Sequence, residues 1–256
     1  MSSRQACDHG ALRSTFTGEA GYRAVARPVW RATEPVSVMT KRIVLIHAVM
    51  VAMQPINDAF HRLWPDAECV NILDDSLSTD RGKAAEIAPS LFQRFESLSA
   101  YAHSIGADGV LFTCSAFGPA IEAVARSAIF PVLKPNEAMY EAALAHGSRI
   151  GMVATFAPAV APMEQEFHEL AAQRGSNATI KTICAPAAMD ALNRGEPAVH
   201  NAIVAEAACR LDGVDVVMLA QFSTSRAEEE VARAIKAPIL TSPGSAVRKL
   251  KTLLGG

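Results

Sequence analysis

The chain has 256 residues, half of them hydrophobic, with 24 basic against 26 acidic side chains. That length allows one large domain or two of about 125 residues. Near-balanced charge without a Lys/Arg run argues against a nucleic-acid partner, and no apolar stretch reaches the roughly 18 residues of a membrane span. The five cysteines, Cys7, Cys69, Cys114, Cys184 and Cys209, are odd in number and widely spaced. No CxxC pair or Cys/His cluster occurs, so neither a disulfide framework nor a zinc site is indicated. A reduced, cytoplasmic protein with no metal is the expectation.

Residues 1–38 lack apolar periodicity and carry five Arg against three acids. They are expected to form a disordered extension, or to precede a start at Met39. Residues 43–47 (IVLIH) read as the first strand, 47–54 as a loop and 55–64 as a short helix with Ile56, Ala59, Phe60 and Leu63 at helical spacing. Residues 69–73 form the second strand, ending in the turn-and-cap run Asp74-Asp75-Ser76. A long helix is expected over 81–105, bent or divided at Pro89.

Residues 108–133, DGVLFTCSAFGPAIEAVARSAIFPVL, then read as buried strand, polar turn, helix and next strand. Pro119 suits the first turn of that helix. A thiol at the carboxyl end of a parallel strand, just before a helix, is where α/β proteins place chemistry. The helix N-terminus there is expected to favour the thiolate of Cys114. Beyond it, 134–145 leads a connecting helix, 150–154 is a strand, 162–173 a helix, 179–184 a strand, 198–211 an Ala-rich helix, and 216–220 and 238–240 strands. Residues 242–245 cap a last helix over 246–254.

Residues 215–240 (DVVMLAQFSTSRAEEEVARAIKAPIL) align without a gap to 108–133 at an offset of 107 (215 − 108), and nine of the 26 pairs are identical. The match signals an internal duplication. Its register sets Gln221 opposite Cys114. Strands alternating with helices imply parallel sheets with right-handed crossovers. The fold class is therefore α/β, with a first half over 39–145 and a second over 146–256, and strand ends facing a shared cleft.

Ala107-Asp108 and the run Leu111-Phe112-Thr113-Cys114 resemble the first catalytic-cysteine segment of the aspartate/glutamate racemase superfamily, over about residues 41–254. That superfamily includes hydantoin racemases, maleate isomerases and arylmalonate decarboxylases. The resemblance implies two pseudo-twofold related halves, each a four-stranded parallel sheet flanked by helices, with the active site between them. It implies a cofactor-independent enzyme and a small carboxylate or amino-acid derivative as substrate. The superfamily's racemases have a second cysteine where this chain has Gln221, followed by Phe222 and Ser223. The related decarboxylases keep one cysteine, but in the second half.

Cys114 is the expected base or nucleophile. Cys184, also at a strand end, is its rival; Cys69 and Cys209 read as core. His47, ending the first strand, is a candidate second acid/base, although a lone His is more often structural. Thr113, Ser115, Ala116, Phe222 and Ser223 are candidate substrate contacts, Ser115 and Ser223 as donors to a carboxylate or enediolate. Gln221 can donate hydrogen bonds but cannot exchange a proton near neutral pH. Thr155 ends the matching strand of the second half and is a comparable carboxylate ligand. Lys134 and Asn136 are within conceivable reach. No G-x-G-x-x-G or P-loop occurs, so no nucleotide is expected. Three readings stay open: a racemase or isomerase, a single-cysteine decarboxylase of a malonate-type acid, and a non-catalytic carboxylate-binding relative. No membrane or nucleic-acid partner is expected, and the composition is compatible with a homo-oligomer.

Overall fold

The computed structural model of the chain describes residues 40–83 and 86–256; the expected extension 1–38, Met39 and Cys7 lie outside them. The first sheet has strands β1 (Arg42–His47), β2 (Glu68–Leu73), β3 (Gly109–Phe112) and β4 (Val132–Leu133), in the order β2-β1-β3-β4, all parallel. The second has β5 (Arg149–Ala154), β6 (Thr179–Cys184), β7 (Val216–Leu219) and β8 (Ile239–Thr241), in the equivalent order β6-β5-β7-β8, also all parallel. The two central strands of each sheet are covered on both faces, which is why IVLIH, GVLF and VVML are apolar without alternation. The outer strands β2 and β6 keep half-exposed, mixed sequences.

The helices are α1 (Met53–Leu63), α2 (Ser76–Arg81), α3 (Pro89–Ser104), α4 (Gly118–Ser127) and α5 (Glu137–His146), then α6 (Val160–Gln173), α7 (Pro186–Asn193), α8 (Pro197–Cys209), α9 (Glu228–Ala234) and α10 (Ser242–Leu254). Three boundaries differ from the sequence reading. The helix expected over 81–105 is divided at Pro89 as expected, Pro89 opening α3 at the position where its missing N–H costs nothing, but Arg81 does not begin it: Arg81 closes the separate helix α2. An additional short helix, α7, fills the stretch between β6 and the Ala-rich α8. The last helix begins at Ser242, with Thr241 Oγ1 accepting from the Gly244 N–H at 3.2 Å as its cap.

Four apolar clusters cover the four sheet faces. Ile43, Leu45 and Leu111 pack under Ile56, Phe60 and Trp64 of the α1 segment and under Val247 and Leu250 of α10. Val44, Ile46, Val110 and Phe112 pack against Phe95, Ile121 and Val124. In the second sheet Ile150, Met152 and Met218 meet Met139, Tyr140 and Phe167, and Val153, Val217 and Leu219 meet Ala188, Val204 and Val231. The helix coverage is thus exchanged. By packing, α5 serves the second sheet and the final helix α10 serves the first.

The duplication is visible in side chains as well as strands. Asp108 Oδ2 accepts the Arg42 N–H at 2.9 Å, and Asp215 Oδ2 accepts the Arg149 N–H at 2.9 Å, each locking its sheet's first strand to its third. The Asp215 junction is crowded. A Cβ on Gly147 would lie 2.5 Å from Asp215 Oδ2 and 2.7 Å from its Cγ. The Gly147 φ of 167° is extended backbone that any residue adopts, so only crowding opposes a side chain. Gly147→Ala is expected to cost about 1–3 kcal/mol, read as a lower urea midpoint, with no such loss for an alanine at the open Gly118.

Candidate active site

The loops at the carboxyl ends of both sheets enclose one cavity of about 1030 Å³. This is the location expected for ligands in open α/β sheets. Cys114 and Gln221 each lie two residues beyond the end of their strand, β3 and β7, and both line this cavity. Thr113, Ser115, Ala116, Phe222 and Ser223 line it too. Phe222 is at the same time part of the apolar cluster under the first sheet, so the β7 loop is anchored in the opposite half.

Cys114 is half-buried and opens a single 3-10 turn over Ser115–Phe117. The expected thiolate is not what the environment favours. Burial pushes the thiol above its ordinary 9.0, and the Ala116 N–H and the Arg81 charge oppose this only in part. A one-turn 3-10 segment offers little of a helix dipole, so desolvation wins. Arg81 was not singled out in the sequence because it reads there as the first residue of a long helix. It lines the cavity and donates from Nε to the Ala116 carbonyl at 3.2 Å. Arg94 of α3 holds α2 in place by ion pairs to Asp74 and, at 2.6 Å, to Asp80.

His47 is fully buried and does not line the cavity; the expectation that it faces the cleft is not met. Its Nε2 lies 2.9 Å from Asn71 Oδ1 and its Nδ1 lies 2.9 Å from Thr113 Oγ1. Asn71 Oδ1 also accepts from Asn57 Nδ2, so it is an acceptor, and the network assigns the proton to Nε2. Thr113 then donates to Nδ1, and His47 acts by positioning Thr113 beside Cys114. Burial lowers the His47 pKa below its ordinary 6.5, partly opposed by the Asn71 hydrogen bond. The unfolded chain therefore binds this proton more readily than the folded one. Stability is full above about pH 6.5 and falls as pH drops from there toward the folded pKa. Thermal melts from pH 8 to 5 should show that fall, and His47→Gln should flatten it; an unchanged slope would assign the proton uptake elsewhere.

Thr155 is buried and is likewise no part of the cavity wall. Its N–H donates to Gln221 Oε1 at 3.0 Å, with its hydroxyl 3.3 Å from the same oxygen. It orients Gln221 instead of holding a substrate carboxylate. With Oε1 fixed by a backbone donor, the Gln221 amide has one orientation, and its Nε2 is buried without a hydrogen-bond partner. Gln221 is also the only non-glycine residue among those described with positive φ, at φ 71° and ψ 146°. Such backbone costs on the order of 1–3 kcal/mol and persists where the surroundings dictate it.

The other thiols are elsewhere. Cys184 ends β6 outside the cavity wall. Cys69 sits in β2, where burial raises it to about 11. Cys209 ends α8 exposed, not in the core. Lys134, Asn136, Tyr140 and Glu166 also line the cavity. Of these, the sequence had drawn attention only to Lys134 and Asn136 as site neighbours. Among the described residues no group of three His, Cys, Asp or Glu could hold a metal ion, and no helix is long and apolar enough to cross a membrane.

No curated protein sequence matches the chain significantly. Solved structures do resemble it. The glutamate racemase isoform RacE1 of Bacillus anthracis superposes with a TM-score of 0.60 at 15% identity, covering 84% of this chain and 82% of that one. Allantoin racemase from Klebsiella pneumoniae gives 0.60 at 19%, covering 84% and 88%. The Picrophilus torridus aspartate racemase gives 0.64 at 14%, covering 84% and 94%. These identities carry the fold alone. The family is set by the sequence model for Asp/Glu/hydantoin racemases, which matches residues 54–255. With two parallel four-stranded sheets in repeated order and a cavity at their joined strand ends, the chain belongs to the Asp/Glu/hydantoin racemase family, and is an isomerase of that cofactor-independent kind.

Proposed function

We propose that the protein moves a proton at the carbon next to a substrate carboxylate, with Cys114 as the group that carries it and Gln221 as a hydrogen-bond donor on the opposite side. The observation that supports this most is the pairing of equivalent positions: a thiol and an oriented amide, offset by 107 residues, line one cavity. As a thiolate, Cys114 takes the α-proton and becomes a thiol, and the C–H electron pair passes into the carboxylate to give an enediolate. Arg81, Ser115 and Ser223 line the cavity and are suited to hold its oxygens. Inversion needs a proton from the other face, and an amide does not supply one. The thiol therefore returns the proton on the face it came from, and isomerisation by this one base is a shift of the proton or double bond along that face, with α-deuterium exchange with retention as its partial reaction.

The raised Cys114 thiol favours a second reading. A group that is protonated at neutral pH is ready to act as an acid, protonating an enediolate formed by loss of CO₂ from a malonate-type acid. One experiment separates the two. The protein is incubated in D₂O with amino acids, hydantoins, malonates and maleate, across pH 6–10. Base chemistry gives α-deuterium without inversion, at a rate that climbs with pH as Cys114 ionises. Acid chemistry gives CO₂ and a singly deuterated product, at a rate that falls at high pH. Turnover of neither kind would favour carboxylate binding alone.

A further inference from the structure

We propose that the arm of the cavity between α4, the turn after β4 and α6 is a subsite for a cationic group on the substrate, an ammonium or guanidinium several bonds from the reacting carbon. This rests on the preceding reading for which end of the substrate lies at Cys114.

Four carboxylates line that arm: Glu122 on α4, Glu137 on α5, and Glu166 and Glu169 on α6. Lys134 is the lysine facing them. It lies 2.8 Å from Glu122 Oε1, 3.3 Å from Glu166 Oε1 and 3.9 Å from Glu137 Oε2. Lys249 takes the other oxygen of Glu137 at 2.7 Å. Two ammoniums thus serve three carboxylates, Lys249 being shared besides with Glu141 at 2.7 Å, and Glu169, which among the described residues accepts only from the neutral Gln165 amide at 2.8 Å, adds a fourth negative charge. The second observation is Tyr140. It lines the same cavity, is 0% exposed, and its hydroxyl makes no hydrogen bond of full geometry, the Asn136 side chain, whose Oδ1 is taken by Ser242, being the polar group that approaches it. A buried phenol oxygen can accept from an N–H donor, and leaving it unmatched is costly. Burial, with Glu137 and Glu122 adding to it, holds the Glu166 carboxyl above its ordinary range against the pull of Lys134. An entering cation relieves that repulsion. An entering carboxylate would increase it, so a dicarboxylic acid is the poorer fit.

The test is calorimetric titration of the whole protein with three acids of matched length: lysine, norleucine and 2-aminoadipate. Lysine is expected to bind at least about tenfold more tightly than norleucine, with 2-aminoadipate the weakest, a difference that salt reduces. Glu166→Gln and, separately, the more exposed Glu122→Gln should each cut the lysine advantage at least about threefold. Equal binding of lysine and norleucine, preference for 2-aminoadipate, an advantage unaltered in both variants, or no binding of any of the three would overturn the subsite. Deuterium exchange on the same acids keeps the two ideas apart. A lysine preference without exchange leaves the subsite standing and removes the Cys114 chemistry; exchange without a lysine preference does the reverse.

Discussion

Cys114→Ala is expected to lower α-proton exchange by about a thousandfold or more, the scale of losing the one group that moves the proton. Cys184→Ala, at the end of β6 in the other sheet and outside the cavity wall, should leave the rate within a factor of about two. The contrast matters because Cys184, like Cys114, sits at the carboxyl end of a parallel strand. Position in the sheet does not separate them; access to the cavity does. Full exchange in Cys114→Ala would remove the thiol from the mechanism. Alkylation gives a second readout. Since burial raises the Cys114 thiol, iodoacetamide should label it slowly at pH 7 and faster as pH rises past its ordinary value of 9.0.

Gln221→Cys is expected to change the stereochemical outcome. The wild type should exchange deuterium with retention; the variant, with a thiol on each side of the substrate, should deliver a proton to either face and give racemic product. The gain comes with a loss of stability. Removing Oε1 leaves the buried Thr155 N–H without its acceptor, a cost of about 1–3 kcal/mol, and the positive φ remains as unfavourable for Cys as for Gln. Chiral chromatography of the product and urea unfolding of the variant measure both effects. A stable, folded Gln221→Cys protein that still exchanges with retention would show that position 221 does not reach the second face.

Much of this site was legible in the sequence. The apolar runs ending at Phe112 and Leu219 mark central strands because only strands buried on both faces tolerate such runs, and the residues that follow them necessarily enter the cleft. The duplication placed Gln221 against Cys114 for the same reason. His47 was not legible. In a strand covered on both sides, side-chain alternation separates two buried faces and does not tell a cleft from a core, so His47 could be assigned to either. Arg81 was hidden because a helix running from residue 81 passes through Gly82, whose place after Arg81 is the stop signal that ends α2. Only the end of α2 turns it toward Cys114. The glutamates lining the arm between α4 and α6 carry no local signal, since they lie on three separate helices and converge only through tertiary packing.

The exchanged helices bear on how the chain reaches this state. The sheet built from the earliest described residues is not closed until Val247 and Leu250 arrive, so contacts such as those of Ile43 span about 200 residues. On the ribosome the first half has to wait, with one face of β1 and β3 uncovered, until nearly the whole chain has been made. A protein that loses α10 should therefore fail in its earliest-synthesised sheet, not its latest. The duplicated halves, though each has its own strands, are therefore expected to unfold in a single urea transition, as one cooperative unit and not as two beads on a string.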